Sequence, residues 1–335
     1  MDLSRTHVIL HEDHVAHVSS TDFPHQYPNE DLSFDLSAFK KNFKIKIWEC
    51  SPTTMEFDLV GVDASFANAL RRILIAEVPT MAIENVYILN NTSVIQDEVL
   101  AHRLGLIPFV ADPNHFDFKR VEDNHTDLNT IVMKLDVECR KKDPKKGKIE
   151  SDDDLIDGKI LSSHIKFDPK ADQIDQFKDD PIKPVFDDIL VAKLSPGQSI
   201  EAELHLIKGI GRDHAKWSPV ATASYRLLPE IIIKEDITGP DADKFVSCFP
   251  EGVAEVRDVN GVRKAVVVNP RKCTMSREVL RYPELAEKVI LARVRDHFIF
   301  NIESTGIISP QDLFLQAILI MIDKCKTAKL ALAQL

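Results

Sequence analysis

One stretch of the chain decides how its fold is built: Asp63-Ala-Ser-Phe-Ala-Asn-Ala-Leu-Arg-Arg-Ile-Leu-Ile-Ala-Glu-Val-Pro79. Asp63 can cap free backbone N–H groups and Pro79 prevents continuation, so the stretch predicts one helix between these two residues. Its apolar side chains form one stripe at i, i+4, i+7 and i+8: Phe66, Leu70, Ile73 and Leu74. The stripe must be buried, within the chain, against another protein, or both. Arg71 and Arg72 project from the C-terminal half, where cations suit the helix dipole.

Two strands are predicted before this helix. Apolar residues alternate with charged ones in residues 43–47 and again in residues 55–59, which is typical of half-buried strands. We therefore expect the fold to start near Lys41 and residues 1–40 to form an extended or partly disordered arm. Four histidines in this arm have metal-ligand spacing for a helix: His7, His11, His14 and His17. No apolar face anchors such a helix, so a flexible arm is the favoured interpretation.

The middle of the chain, residues 81–221, has a different texture and is predicted to be an inserted domain. Strands are expected at residues 131–137 and 200–206, separated by long irregular stretches. A short helix is expected over Asp97–Gly105, with a capping Asp97 and with Gly105 available as a left-handed cap. Basic and acidic residues with few apolar ones in residues 140–157 predict a solvated, mobile loop.

The C-terminal part returns to high apolar density. Residues 227–233 and 297–303 are predicted strands, and Ser309-Pro-Gln-Asp312 then opens a helix with a capping pattern and a proline at its first position. The helix should run almost to Leu335. Six of its residues step by 4, 3, 4, 3 and 4 and form a seam suited to packing along another helix: Phe314, Ile318, Met321, Cys325, Ala328 and Leu332. More apolar residues lie off the seam, so one neighbouring element cannot cover them all: Leu313, Leu315, Leu319, Ile320 and Ile322.

Composition limits the possible partners. The chain has 335 residues, 44% of them apolar, and 42 basic against 53 acidic residues give a net charge of -11. This charge opposes direct DNA binding, so any contact with DNA should be indirect. Five scattered cysteines form neither a disulfide framework nor a zinc motif, and reduced thiols are expected. The longest apolar stretch, residues 313–322, is well short of the roughly twenty residues that span a bilayer, so no membrane association is expected.

No pattern predicts catalysis. Asp97, Glu98, His102 and Arg103 could suggest acid–base chemistry, but an ion-paired structural helix is favoured. Gly209-Ile-Gly211 is only a fragment of a phosphate-binding loop and is interpreted as a turn. Cys273 and Ser218 have no base at motif spacing. We therefore expect no catalytic, cofactor or metal site, and a hydrolase or nucleotide-binding enzyme built on residues 81–221 is disfavoured.

Four blocks together resemble a known family. Residues 66–79, 92–108, 214–219 and 300–306 look like the signature blocks of the α-like assembly subunits of multisubunit DNA-dependent RNA polymerases. This family includes the bacterial α N-terminal domain and its archaeal and eukaryotic relatives. The blocks follow the family's order, and the resemblance covers residues 41–335.

The resemblance implies an α+β fold. A discontinuous dimerisation domain, residues 41–80 and 222–335, would combine a sheet with two long helices, and a mixed α/β domain, residues 81–221, would be inserted. It also implies a heterodimer with a smaller α-like subunit, docking of the second-largest subunit and of small zinc-bearing subunits, and a nuclear location. The implied interface residues are Phe66, Leu70, Arg71, Arg72, Ile73, Leu74, Phe314, Ile318, Met321 and Cys325, with Arg71 and Arg72 facing the second-largest subunit.

Three features favour the version shared by RNA polymerases I and III, which support rRNA, 5S rRNA and tRNA synthesis. The N-terminal arm is long, and Ala221-Thr-Ala-Ser-Tyr-Arg-Leu-Leu-Pro229 resembles the shared subunit. The RNA polymerase II relative carries a cysteine-rich zinc loop in the inserted domain, where this chain has only Cys139. A single thiolate cannot form a tetrahedral zinc site. The RNA polymerase II subunit is the alternative.

Overall fold

The computed structural model describes residues 3–19, 29, 33–120, 122–143, 154–259 and 261–334. The helices in this part of the chain are α1 (Leu3–Thr6), α2 (Leu36–Asn42), α3 (Ala64–Ala76), α4 (Asp97–Gly105), α5 (Gln173–Gln176), α6 (Pro240–Ser247), α7 (Pro283–Ala286) and α8 (Pro310–Ala333). The strands are β1 (His7–Leu10), β2 (Val15–Ala16), β3 (Lys44–Cys50), β4 (Thr54–Val60), β5 (Pro79–Asn91), β6 (Phe109–Val110), β7 (Thr130–Glu138), β8 (Arg140–Lys141), β9 (Leu155–Ile156), β10 (Lys159–Leu161), β11 (Lys166–Phe167), β12 (Lys183–Pro184), β13 (Leu190–Lys193), β14 (Ser199–Ile210), β15 (Val220–Ile233), β16 (Ala254–Val259), β17 (Val262–Val267) and β18 (Val289–Ser304). The predicted α+β class is confirmed.

The chain divides into two compact units. The first unit contains the described parts of Met1–Glu49, Glu56–Ala69 and Ser224–Asn301. The second unit contains those of Cys50–Met55, Leu70–Ala223 and Ile302–Leu335. We predict a dimerisation domain, residues 41–80 and 222–335, and an inserted domain, residues 81–221. These limits stay a prediction, because they depend on which residues pair with another chain.

A sheet forms the centre of the first unit. Its strands follow the order β2-β1-β18-β4-β3, and β15 also pairs with β18. On one face, the rings of Phe57 and Phe300 stack with their centroids 5.3 Å apart. On the other face, the buried Asp58 accepts hydrogen bonds from Arg271 and from Nε1 of Trp48. Burial opposes ionisation of Asp58, but these hydrogen bonds outweigh it and lower the pKa of the carboxyl below its ordinary value.

The N-terminal residues belong to this sheet. β1 pairs antiparallel with β18 from His7↔Val294 to Leu10↔Leu291, so the predicted start of the fold near Lys41 is wrong. His7 lies in a strand and His17 has a φ of 63°, so one helix does not carry the four histidines. These N-terminal residues are ordered because they pair with a neighbouring strand. The sequence of the arm does not reveal that pairing. The rest of the expected flexible arm, residues 20–28 and 30–32, lies outside the described residues.

The two predicted strands before the first helix exist, but they differ in burial. β4 buries Met55, Phe57 and Leu59, as its alternation predicts. β3 is exposed at all seven positions, so its interpretation as half-buried is wrong. The reason is its place at the edge of the sheet, where it has one neighbouring strand and little cover.

The second unit contains a four-stranded sheet in the order β11-β7-β14-β5. The predicted strands appear within β7 and β14, and α4 has the predicted bounds. The thirteen-residue β5, which pairs with β14, was not predicted. Both predicted caps of α4 are wrong, because Gln96 is the N-cap residue and Leu106 follows Gly105 in right-handed geometry. Gln96 occupies the N-cap position without a side-chain hydrogen bond, so the capping preference of Asp97 was a misleading signal for the helix start.

A turn begins at Gly211, within the predicted Gly209-Ile-Gly211 turn, and both glycines also serve close packing. Gly209 lies inside β14, where a Cβ would stand 2.4 Å from the ring of Trp217. A Cβ on Gly211 would stand 2.2 Å from the carbonyl oxygen of Ile75. Most of the predicted mobile loop, residues 144–153, lies outside the described residues. Its flanks form a short ladder, in which β8 pairs with β9.

Candidate subunit interface

The last helix begins where both of its start signals predict. The side chain of Ser309 accepts a hydrogen bond from the backbone N–H of Asp312 at 3.2 Å, and Pro310 is the first helical residue. The proline has no N–H to leave unpaired, and its ring restricts the backbone to helical angles. α8 then continues for 24 residues to Ala333, which confirms the predicted helix.

Burial along α8 changes sharply. Leu313 and Ala317 are fully buried, while the seam residues Phe314, Ile318 and Met321 are half-buried. Beyond Met321, every described residue of the helix is exposed. The first three turns therefore pack within the second unit, and the rest of the helix has little cover from the described residues.

Over residues 310–322, the most exposed apolar residues of α8 are not those of the predicted seam. Leu315 is 57% exposed, Leu319 is 60% exposed and Ile322 is 44% exposed. These three residues, which we call the exposed stripe, step by 4 and 3 as the seam residues do, but each follows a seam residue by one position. One position rotates a side chain by about 100° around the helix axis. Two apolar series thus run side by side, and the chain itself partly covers Phe314, Ile318 and Met321 of the predicted seam. The later seam residues, Cys325, Ala328 and Leu332, are exposed.

A groove lies beside the exposed stripe within the second unit. Its volume is about 770 Å³, and Leu315 and Leu319 form one side. Val110, Phe177 and Ile182 provide further apolar lining. Polar residues such as Asp112, Asn114 and Asp180 also line it, so the groove offers both apolar and polar contacts to the side chains of a second helix.

The first long helix, α3, is covered much better than α8. Asp63 begins it, because its side chain accepts a hydrogen bond from the N–H of Ser65 at 2.8 Å, which confirms the predicted start signal. In the predicted stripe, Leu70, Ile73 and Leu74 are at most 3% exposed. Phe66 is 37% exposed and belongs to the first unit.

The end of α3 lies beside α8 in the second unit. Nζ of Lys324 is 2.6 Å and 2.8 Å from the two carboxylate oxygens of Glu77, the residue that follows α3. The chain thus brings together its two apolar helices, although about 240 residues separate them in sequence. Nine of the ten predicted interface residues belong to this unit: Leu70, Arg71, Arg72, Ile73, Leu74, Phe314, Ile318, Met321 and Cys325.

The polar residues of the predicted interface differ in exposure. Arg71 is half-buried, Arg72 is exposed, and Cys325 is exposed on α8. Within the described residues, Arg72 takes part in no ion pair. Its guanidinium is therefore available to a carboxylate or carbonyl group of another chain.

The surface offers neither a metal centre nor a membrane span in the part of the chain described. Its His, Cys, Asp and Glu residues nowhere gather in threes with geometry for a metal ion. None of its helices combines the length and the apolarity needed to cross a membrane. All five cysteines are free thiols. What the second unit does provide is an uncovered apolar helix beside a groove, which is the geometry of a subunit that pairs through a helix.

Comparison with known proteins identifies this class of subunit. The chain belongs to the RNA polymerase Rpb3/Rpb11 dimerisation domain family, which matches residues 56–325. It is 48% identical over 325 residues to the mouse (Mus musculus) "DNA-directed RNA polymerases I and III subunit RPAC1", covering 96% of this chain and 94% of the mouse protein.

Two further relatives place the chain within the family. The Saccharomyces cerevisiae protein of the same name is 45% identical over 320 residues, which cover 94% of this chain and 95% of the yeast protein. A "DNA-directed RNA polymerase II subunit rpb3" from Dictyostelium discoideum is 31% identical over 301 residues, which cover 87% of this chain and 95% of that protein. The chain is thus more similar to these subunits of RNA polymerases I and III than to the RNA polymerase II subunit.

Proposed function

We propose that the chain is an assembly subunit of DNA-directed RNA polymerases I and III that contributes no catalytic residue. It pairs with the smaller α-like subunit, and the pair docks the second-largest subunit and small zinc-bearing subunits in the nucleus. The polymerase then supports rRNA, 5S rRNA and tRNA synthesis, and the chain meets DNA only through the complex. The exposed stripe on α8 is the observation that carries this proposal.

The cost of leaving the stripe in water supports pairing. Full burial of a Leu or Ile side chain stabilises a protein by about 1.5 to 3 kcal/mol. Leu315, Leu319 and Ile322 keep roughly half of that apolar surface in water, and Leu330 and Leu332, farther along the helix, are 66% and 71% exposed. A partner helix laid along α8 and into the groove would bury it, in an obligate interface of about 2,000 Å² or more.

The predicted interface residues have different roles in this proposal. Phe314, Ile318, Met321 and Cys325 lie next to the exposed stripe and border the partner helix. Leu70, Ile73 and Leu74 are buried by the chain itself and fix the position of α3. Phe66, Arg71 and Arg72 contact other subunits, and the guanidinium of Arg72 grips the second-largest subunit.

The RNA polymerase II subunit is the weaker alternative. The relatives named for RNA polymerases I and III are 45% and 48% identical, against 31% for the RNA polymerase II relative. The inserted segment, residues 81–221, also contains only Cys139, which is too few thiolates for a zinc loop. Stoichiometric zinc in the purified chain would favour this alternative.

A charge placed in the exposed stripe tests the proposal. Leu319→Asp should weaken pairing with the co-expressed smaller α-like subunit by about 2 kcal/mol or more, roughly thirty-fold in Kd, because the partner would have to bury a carboxylate. Recovery of the heterodimer by affinity purification measures the effect. Leu128→Asp is the matched control, because Leu128 is also 60% exposed but lies outside α8.

Equal recovery of the two variants would contradict the proposal. Leu319 is a better test site than Leu313, because Leu313 is fully buried in its own chain. A charge at Leu313 would unfold the second unit whether or not a partner exists.

A further inference from the structure

A pocket of about 460 Å³ lies in the first unit. Arg226, from β15, Arg293, from β18, and Lys272 provide its charged lining, and the lining contains no carboxylate. Cations that line one pocket repel one another unless an anion lies between them. We call this site the cationic pocket.

The described part of the chain leaves these three cations without ion pairs. Among the described residues, none of Arg226, Lys272 and Arg293 takes part in an ion pair, and Arg226 donates only to the backbone carbonyl of Arg271 at 3.0 Å. The neighbouring Arg271 behaves differently, because its guanidinium binds the carboxylates of both Glu56 and Asp58. One arginine of this region is thus paired within the chain, while the cationic pocket is not.

The remaining lining of the pocket is apolar and its backbone is constrained. Pro229 is buried, and Leu227 and Met275 are half-buried. Met275 has a φ of 60°, a left-handed conformation that is unusual for a residue other than glycine. Such conformations persist where the surrounding structure holds them, often at binding sites. The pocket therefore combines three cationic side chains with an apolar wall.

The geometry points to a docking site for an acidic peptide segment of another polymerase subunit. Its carboxylates pair with Arg226, Lys272 and Arg293, and an apolar side chain between them packs on Leu227, Pro229 and Met275. This inference rests on the proposed function, since it needs a partner chain.

Two observations favour a peptide over a nucleic acid. The chain has a net charge of -11, which opposes the approach of a long polyanion. A phosphate backbone would also leave the apolar wall of Leu227, Pro229 and Met275 without a partner. A short segment with two or three carboxylates and an apolar residue matches both features of the pocket.

Carbodiimide crosslinking of the purified polymerase tests the contact directly. The reagent joins a lysine amine and a touching carboxylate as an amide and takes up the water that is released. Mass spectrometry should find Lys272 joined to an Asp or Glu of another subunit. Lys264, whose Nζ contacts the carboxylate of Asp236, is the internal control and should give a link within the chain.

The rate of lysine acetylation in the assembled polymerase is a second measurement that could overturn the inference. If Lys272 in the assembled polymerase is acetylated as fast as the exposed Lys234 and forms no crosslink, the inference is overturned. Protection of Lys272 that appears only when a nucleic acid template is added would also overturn it, in favour of phosphate binding.

Charge reversal separates the cationic pocket from the α8 interface. Arg226→Glu with Lys272→Glu should lower the recovery of the pocket's partner subunit at least tenfold, while the heterodimer with the smaller α-like subunit forms normally. The control, Lys40→Glu with Lys234→Glu, changes the charge equally at exposed residues outside the pocket. Undiminished recovery of every subunit with the double variant would overturn the inference. If the unmodified chain itself failed to form the heterodimer, the proposed function would be contradicted instead.

Discussion

The two long apolar helices differ in how much of their apolar surface the chain itself buries. α3 has 13 residues and a single apolar stripe, and the chain buries Leu70, Ile73 and Leu74. α8 has 24 residues and is about 36 Å long, and its own chain buries only its first turns. Apolarity therefore predicts burial in both helices but does not tell which protein provides it. A helix that extends beyond the support of its own chain presents that surface to a partner.

Truncating a buried residue of α3 should have the largest effect on the chain itself. Leu74→Ala should lower the free energy of unfolding by about 2 to 5 kcal/mol, because it removes a fully buried side chain and leaves a cavity. Denaturant unfolding of the isolated chain at low concentration, monitored by intrinsic fluorescence, measures this loss without a partner covering α8.

The matched variant on α8 is Leu332→Ala, since Leu332 is 71% exposed. Its unfolding free energy should stay within about 0.5 kcal/mol of the unmodified protein. Similar losses in the two variants would mean that α8 is covered as well as α3, and the contrast between the helices would disappear.

Replacing leucines of the exposed stripe by polar residues should weaken pairing without destabilising the chain's own fold. Leu315→Ser with Leu319→Ser should weaken the heterodimer by about 2 kcal/mol, because the partner loses apolar contacts. The same variant should reduce aggregation of the isolated chain, because a large exposed apolar patch promotes association. Calorimetric titration and light scattering measure the two effects, and increased aggregation would show that the stripe supports the chain's own fold.

Removing the ion pair between Lys324 of α8 and Glu77 at the end of α3 should have the smallest effect on stability. The Lys324 side chain is 56% exposed and that of Glu77 is 28% exposed, so solvent screens this ion pair. A double-mutant cycle with Glu77→Gln and Lys324→Met should give a coupling energy of about 0.2 to 1 kcal/mol. A coupling well above this range would mean that the ion pair, rather than apolar packing, holds α8 against the end of α3.

Local signals predicted the helices well and some strands poorly. Asp63 and Ser309 mark their helix starts because side chains near in sequence satisfy the first backbone N–H groups. β5 was missed because Pro79 was interpreted as an end and because its pairing with β14 shifts register twice, which blurs a period of two. β1 was missed because its order depends on pairing with β18, nearly 300 residues away.

The sequence by itself determined where α3 and α8 begin, how long they run, and that both need apolar neighbours. It also carried the family blocks, because these are strings of residues. Only the tertiary structure decided that Leu315, Leu319 and Ile322, rather than Phe314, Ile318 and Met321, are the exposed apolar residues in the first half of α8. The physical reason is that helical spacing sets which side chains share a face, whereas the rotation of the helix about its axis depends on the residues that pack against Leu313 and Ala317.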